Sequence, residues 1–397
     1  KEDLQACAAA KVAVCTFDRA KDIASEYETI VVDEAHELPG SENYRRRAVR
    51  ELTEILSNAQ RAILLSATPP ELYRQEGYKL CEITHKVPAT KQLYHVAANG
   101  NMRATAFELA ANQAEKAAGL AIVRLNSRNG CDNMAAALQD RGIGAHAIHR
   151  GNADDSDVLA GLKRDEAVPS DVQVIVTTKL IEAGFSIYAP ERDVAMVWLP
   201  DSYEPSALVQ FAGRVRDCES LATYAITNAQ RQTFAKRPDL QYLYKWDVEL
   251  WNNWANVHNH GAAFIREEMA NGRKPPGLPS LRHRDTEAQN ALIYSQQDDC
   301  YVNHPYLMAK AEGKGIAGIP DADFFAEVQR LDPRFNYQQV TEPSRSAVAA
   351  TAVQLQTQTK ATQAASEALK QWLAGSLPVM FYALLQIAAR NTHSRTV

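Results

Sequence analysis

The sequence predicts an α/β protein: two consecutive parallel-sheet regions, the first incomplete, then a mainly helical C-terminal region. Three observations predict it. Short apolar, β-rich runs bounded by turn residues recur from Lys11 to Ile226, as in strands buried on both faces. Stretches of helical length separate them, so strand and helix alternate. From about Asn228 the strand runs become rare.

The elements follow in order. Val12–Cys15, Thr29–Val32, Ala62–Leu65 and roughly Tyr78–Ile83 read as strands. Ser41–Ser57 reads as a helix, with Ser41 as N-cap and Glu42 in the acidic first turn. After Pro88 the alternation restarts. Leu93–Ala97, Gly119–Leu125, Gly144–Ile148, Val172–Thr177, Asp193–Leu199 and Leu221–Ile226 read as strands. Ala104–Lys116, Asn129–Gln139, Asp154–Lys163 and Pro205–Arg214 read as helices. The first region looks like a truncated relative of this second one. Beyond it, Ser344–Leu373 is rich in Ala, Gln and Thr with few breakers, and reads as a long helix. The domain division predicted is 1–88, 89–227 and 228–397.

At 397 residues the chain has the length of two or three domains, taking about 150 residues for each. Hydrophobic residues make up 46% and charged residues 23%, which excludes wholesale disorder. A net charge of −5 excludes a histone-like polycation, although one basic channel remains compatible with it. The six cysteines are scattered with no C-x-x-C pair, as expected in a reducing, cytoplasmic setting. No signal peptide is legible, and the longest apolar stretch, Val379–Ala389, is interrupted by Gln386 and falls short of the ~20 residues that span a bilayer. It reads as a buried amphipathic helix. The first residue is Lys1 rather than Met, from which a fragment or a processed chain is expected.

Four motifs carry chemistry. Asp33-Glu34-Ala35-His36 follows directly on a predicted strand, the edge where open α/β sheets bind ligands. Adjacent acids there can diverge, one to Mg²⁺ and one to an attacking water; the ordinary alternative is a solvated acidic turn. Ser66-Ala67-Thr68 ends the next strand and can hydrogen-bond neighbouring acids, or simply form a turn before Pro69. Thr177-Thr178, followed by Gly184, Phe185 and Ser186, ends another strand. Paired hydroxyls there can bind a nucleic-acid phosphate, or mark an ordinary strand-to-helix turn. Gln210-Phe211-Ala212-Gly213-Arg214-Val215-Arg216 places Gln210 and Arg214 on one helical face, with Arg216 near the helix end. Such guanidinium groups can stabilise charge on a transferring phosphoryl group, or cap a helix C-terminus. Gly213 points to a close backbone approach.

In order and spacing the set resembles the superfamily-2 helicases of the D-E-A-D/D-E-A-H-box type. Asp33–His36 is similar to motif II, Ser66–Thr68 to motif III, Thr177–Ile187 to motif V and Gln210–Arg216 to motif VI. Val12–Arg19 is similar to motif Ib, Leu125–Arg128 to motif IV, and His149–Gly151 to the loop after it. The resemblance covers about Lys11–Ile226 and implies two tandem RecA-like domains that clamp ATP between them and nucleic acid across their tops. It implies Mg²⁺ on Asp33, Glu34 as catalytic base, and coupling of hydrolysis to strand binding through His36, Ser66 and Thr68. Arg214 and Arg216 become arginine fingers, with Gln210 near the γ-phosphate and Gly184 and Ser186 on the nucleotide. Thr16, Arg19, Ser127, Thr177 and Thr178 face the nucleic-acid backbone. The acids at 33–34 and the guanidinium groups at 214 and 216 are then expected on opposite walls of one gap.

Two features depart from the family pattern. No G-x-x-x-x-G-K-[ST] occurs, and Gly313-Lys314-Gly315 reads only as a surface-turn lookalike. The usual motif V acid is Ser186 here, a neutral and weaker ribose partner. D-E-A-H-E-L and the compact Q-x-x-G-R-V-R look like the viral, phage and plasmid helicases related to herpesvirus replication-origin-binding proteins. From that likeness come DNA over RNA, a role in replication, and a bacterial, phage or plasmid context. The rival reading is a helicase-like binding module that does not hydrolyse ATP. Three other features read as structural. The basic run Tyr44–Arg47 with Arg50 reads as a solvated helix face. His258, His260 and His283 lack partners at metal-ligand spacing. Trp246, Trp251 and Trp254 read as a core face.

Overall fold

The computed structural model describes residues 11–70, 73, 77–81, 83, 91–153, 156–182, 185–200, 203–233, 238–273, 290–294, 300–316, 318–344, 346–360, 363–364 and 367. In chain order, three short helical segments, Phe17–Arg19, Ala20–Ile23 and Ala24–Glu26, precede β1 (Thr29–Val32), α1 (Glu37–Asn58) and β2 (Arg61–Leu64). There follow β3 (Lys91–Ala98), α2 (Met102–Ala114), β4 (Gly119–Arg124), α3 (Arg128–Asp140), β5 (Ala145–Ile148), α4 (Asp157–Asp165) and β6 (Val174–Thr177). Next are β7 (Ile187–Trp198), α5 (Pro205–Ala212), β8 (Val215–Asn228) and α6 (Leu240–Ala270). The last are β9 (Leu292–Tyr294), β10 (Cys300–Val302), α7 (His304–Ile316), α8 (Asp321–Leu331) and β11 (Phe335–Val340).

The described residues form two compact units. One draws on 1–87, 202–206 and 232–327, the other on 88–201, 207–231 and 328–397. In the first unit β1 and β2 are parallel, with Val31 opposite Ile63 and Val32 opposite Leu64. One face packs on α1 through Val32, Ala35, Leu38, Leu52 and Leu56, with Ile30 and Leu64 against them. A second core joins α6, the antiparallel β9–β10 pair and α7 through Leu240, Tyr244, Trp251, Leu292, Val302 and Leu307.

The second unit is a seven-stranded sheet in the order β11-β3-β8-β7-β4-β6-β5, parallel at every pairing. All six residues of β4 are buried, because helices cover both faces of a parallel sheet. Parallel strands place all their C-terminal ends on one edge, and that edge carries the motif IV and V residues. Three described helices of this unit start from side-chain caps: Asn101 accepts from the Arg103 and Ala104 amides, Ser127 from Gly130, and Ser156 from Leu159.

The structure differs from the sequence expectations at several points. Residues 12–15 form no strand, and Val14 is 91% exposed; with no neighbouring strand to pair with among the described residues, an apolar run has no reason to extend. Residues 78–81 are likewise irregular. Ser41 is not an N-cap, because α1 already starts at Glu37, directly from the D-E-A-H turn. Pro39 is tolerated there since a first-turn residue needs no intrahelical N–H donor. Gly313-Lys314-Gly315 lies in helix α7, not in a turn.

The described residues from 228 onward are divided between the two units. β11 joins the second sheet beside β3, and residues 346–360 are helical and bury Val348 and Leu355 in that unit's core. There Thr351 donates to Glu108, which also accepts from Arg141 at 2.9 Å. Trp251 is buried as expected, but Trp246 and Trp254 are exposed; at 100° per residue the three cannot share one face. Gly184, His283, residues 368–373 and Val379–Ala389 lie outside the described residues. Among the described residues no helix is long and apolar enough to cross a membrane.

Candidate functional site

In the first unit, parallel pairing of β1 and β2 brings the D-E-A-H and S-A-T turns side by side. The Leu65 amide donates to the Val32 carbonyl and the Ala35 amide to the Leu65 carbonyl, both at 2.8 Å. The turn is tight enough to hold Glu34 at φ 49°, a conformation non-glycine residues seldom adopt. Its amide donates to Asp33 Oδ1 at 2.9 Å. His36 sits at the junction: Nδ1 lies 3.1 Å from Ser66 Oγ and 3.3 Å from Glu34 Oε2, and Nε2 lies 3.6 Å from Glu37 Oε1. Ser66 Oγ also accepts from the Thr68 amide at 3.0 Å, and Thr68 is buried. Tyr73, which sequence reasoning missed, donates its hydroxyl to the Ala35 carbonyl at 2.6 Å. Burial drives the Tyr73 phenol well above its ordinary pKa, so it stays a donor. No local pattern marks it, since its partner lies across the turn.

Asp33 is exposed and Glu34 half-buried. Among the described residues no group of three or more His, Cys, Asp or Glu residues could hold a metal ion. A single exposed carboxylate at a strand end nonetheless fits Mg²⁺, which is bound by one or two carboxylates together with phosphates and water.

Thr16 and Arg19 lie upstream in this unit. Thr16 is exposed and its carbonyl accepts from the Arg19 amide. The Arg19 guanidinium is paired with Asp22 at 2.9 Å. In the basic run, Arg47 is exposed and pairs with Glu51 at 2.8 Å, but Arg45 departs from helical backbone at a kink in α1 and half-buried Arg50 donates to the Asn290 carbonyl, so the run is not one uniform solvated face.

In the second unit, β6 ends at Thr177, which is fully buried, and its carbonyl accepts from the Leu125 amide at 2.7 Å. The motif IV and V segments therefore lie next to each other. Ser127 Oγ is engaged as the α3 cap, and Thr178 is half-buried. The His149 loop is fixed from both ring nitrogens: Nε2 lies 2.9 Å from Asp132 Oδ1 and Nδ1 accepts from the Gly151 amide.

Gln210 is on the last turn of α5, but Arg214 is in the turn beyond and Arg216 on β8, so the helix ends earlier than the sequence implied. Gln210 Oε1 accepts from Arg214 Nη2 at 3.2 Å, and both side chains are buried while Arg216 is exposed. A Cβ on Gly213 would sit 3.1 Å from the Val209 carbonyl of its own preceding turn. The Arg214 carbonyl accepts from the Ile187 amide at 2.8 Å. Ser186, half-buried, precedes that contact in the chain.

Residues 1–75 match the family model of the DEAD/DEAH box helicases. No curated protein sequence is significantly similar to the chain. Among solved structures it is similar to Saccharomyces cerevisiae Dbp5 bound to RNA and ADP BeF3, at 18% identity over 51% of this chain and 54% of that one, with a TM-score of 0.39. It is similar to a DEAD box protein from the hyperthermophile Methanococcus jannaschii, at 19% identity over 51% and 55%, with a TM-score of 0.30. Escherichia coli SrmB bound to RraA is matched at 16% identity over 34% and 77%, with a TM-score of 0.27. The chain thus spans about half the length of the first two of these helicases.

Proposed function

We propose that this chain is part of an ATP-driven nucleic-acid motor in which the D-E-A-H turn activates water and reports hydrolysis to the strand-binding surface. The observation that carries the reading is the His36–Ser66 contact, which ties the acid turn on β1 to the hydroxyl turn on β2. The exposed Asp33 carboxylate would hold Mg²⁺, which neutralises phosphate charge when bound. Glu34 would orient the attacking water and take its proton. Arg214, held in a fixed direction by Gln210, and Arg216 would oppose the charge that develops on a transferring phosphoryl group. Thr178, Ser127, Thr16 and Arg19 would meet nucleic-acid phosphates. DNA as the strand and replication as the setting rest on the likeness of D-E-A-H-E-L and Q-x-x-G-R-V-R to origin-binding helicases. The structures quoted above include one bound to RNA.

The test is strand-stimulated ATP turnover. Glu34→Gln should lower it by about 100-fold or more while equilibrium binding of a single strand is kept; retained turnover would overturn the reading. The alternative reading is a strand-binding module that does not hydrolyse ATP. Strand binding with no measurable ATP binding would support that one.

A further inference from the structure

α6 is apolar on two faces. Its inner face, with Leu240, Tyr244, Trp251, Ala255 and Ala262, is buried in its own unit. Its outer face carries Tyr242, Trp246, Leu250, Trp254, Val257 and Phe264, all exposed. Trp246 is 60% exposed and Val257 67%, unusual for side chains of this kind. A helix apolar on opposite sides is normally covered on both.

The spacing says what kind of cover fits. Leu250, Val257 and Phe264 recur every seven residues on the outer face, with Leu243 one period earlier packed on the inner core; Trp246, Asn253 and His260 form a second, mostly polar series. Exposed apolar residues at this period describe a helix that packs along a partner helix. Charge decides between partners. The exposed flank offers Lys245 and Arg266 against Glu249 and Glu267, so no basic track exists for phosphates and no cationic face for an anionic bilayer. The area decides the rest. The four aromatics carry roughly 150–250 Å² each, so their exposed parts amount to on the order of 450 Å² per helix. With Leu250 and Val257 added, two copies face to face would bury about 1,000 Å², where specific interfaces begin.

We propose that the outer face of α6 is a self-association surface that takes α6 of a second copy of this chain in antiparallel alignment. That alignment sets Trp246 against Phe264 and Leu250 against His260. It opposes the two helix dipoles and brings Lys245 to the end that carries Glu267.

The test is the mass of the intact chain by sedimentation equilibrium. The chain should be a dimer, and Trp246→Ser combined with Val257→Glu should weaken association by about tenfold or more with far-UV circular dichroism unchanged. Asn252→Glu, on the polar flank, should leave the dimer intact. A monomer at every concentration, or a dimer indifferent to the double substitution, would overturn the proposal. So would a monomer whose tryptophan fluorescence is quenched by an oligo-dT strand, which would assign the stripe to base stacking instead.

Discussion

At Glu34 backbone and chemistry pull in different directions. A left-handed φ costs an L-residue about 1–2 kcal/mol, and glycine would adopt it freely. Glu34→Gly should therefore leave stability unchanged or raise it by up to about 1 kcal/mol in urea titrations, and remove turnover. A clear loss of stability would mean that the Glu34–His36 contact is a structural tie. His36 has the opposite character, since it touches both turns but lies behind the acid. In His36→Ala basal turnover should persist while stimulation by single strands falls about tenfold, the usual size of a coupling between sites. Equal loss of both would place His36 in the chemistry itself. At this scale the motif residues were legible because their types are diagnostic. Tyr73 and the Glu34 conformation were not, because both follow from a turn whose shape is set by the neighbouring strand.

Among the elements, apolar runs with a partner strand were legible and polar strands were not. β4 and β6 read as strands because every residue is buried. The first halves of β7 and β8 carry no such signal; they pair from Ile187 to Ala189, and Glu191, Arg192 and Glu219 lie in the irregularity before pairing resumes at Asp193 and Ser220. β11 (FNYQQV) is equally silent, and only the edge of β3 makes it a strand. An ionic tie precedes it. Asp332 lies buried beside Lys91 at 3.1 Å and Arg334 at 2.7 Å. Burial works against its ionisation, but hydrogen bonds from Arg334 and the Lys91 charge prevail and hold its carboxyl at about 2. A carboxyl depressed on folding stabilises above its unfolded value of about 4. That contribution should be lost as pH falls from about 4 through about 2. Asp332→Asn leaves Lys91 without its counter-charge and should cost about 3 kcal/mol at neutral pH in urea titrations, and should flatten the acid limb of stability against pH. An unchanged acid limb would show that Asp332 does not bind β11 to the sheet.

For the molecule as a whole, the alternation of strand and helix announced the α/β class, but nothing local announced that residues after 328 return to the second sheet. Such returns depend on open sheet edges and uncovered helix faces, which a one-dimensional pattern does not record. The functional reading likewise joins residues of two units, the acids at 33 and 34 and the glutamine–arginine set at 210–216. If they serve a single chemical step, as proposed, losses within that step do not multiply. The decisive measurement is strand-stimulated ATP turnover in Glu34→Gln, Arg214→Ala and the double variant. The account expects each single change to lower turnover by about 100-fold or more, with the double no worse than the more damaging single. Full turnover in either single variant, or losses that multiply in the double, would contradict it.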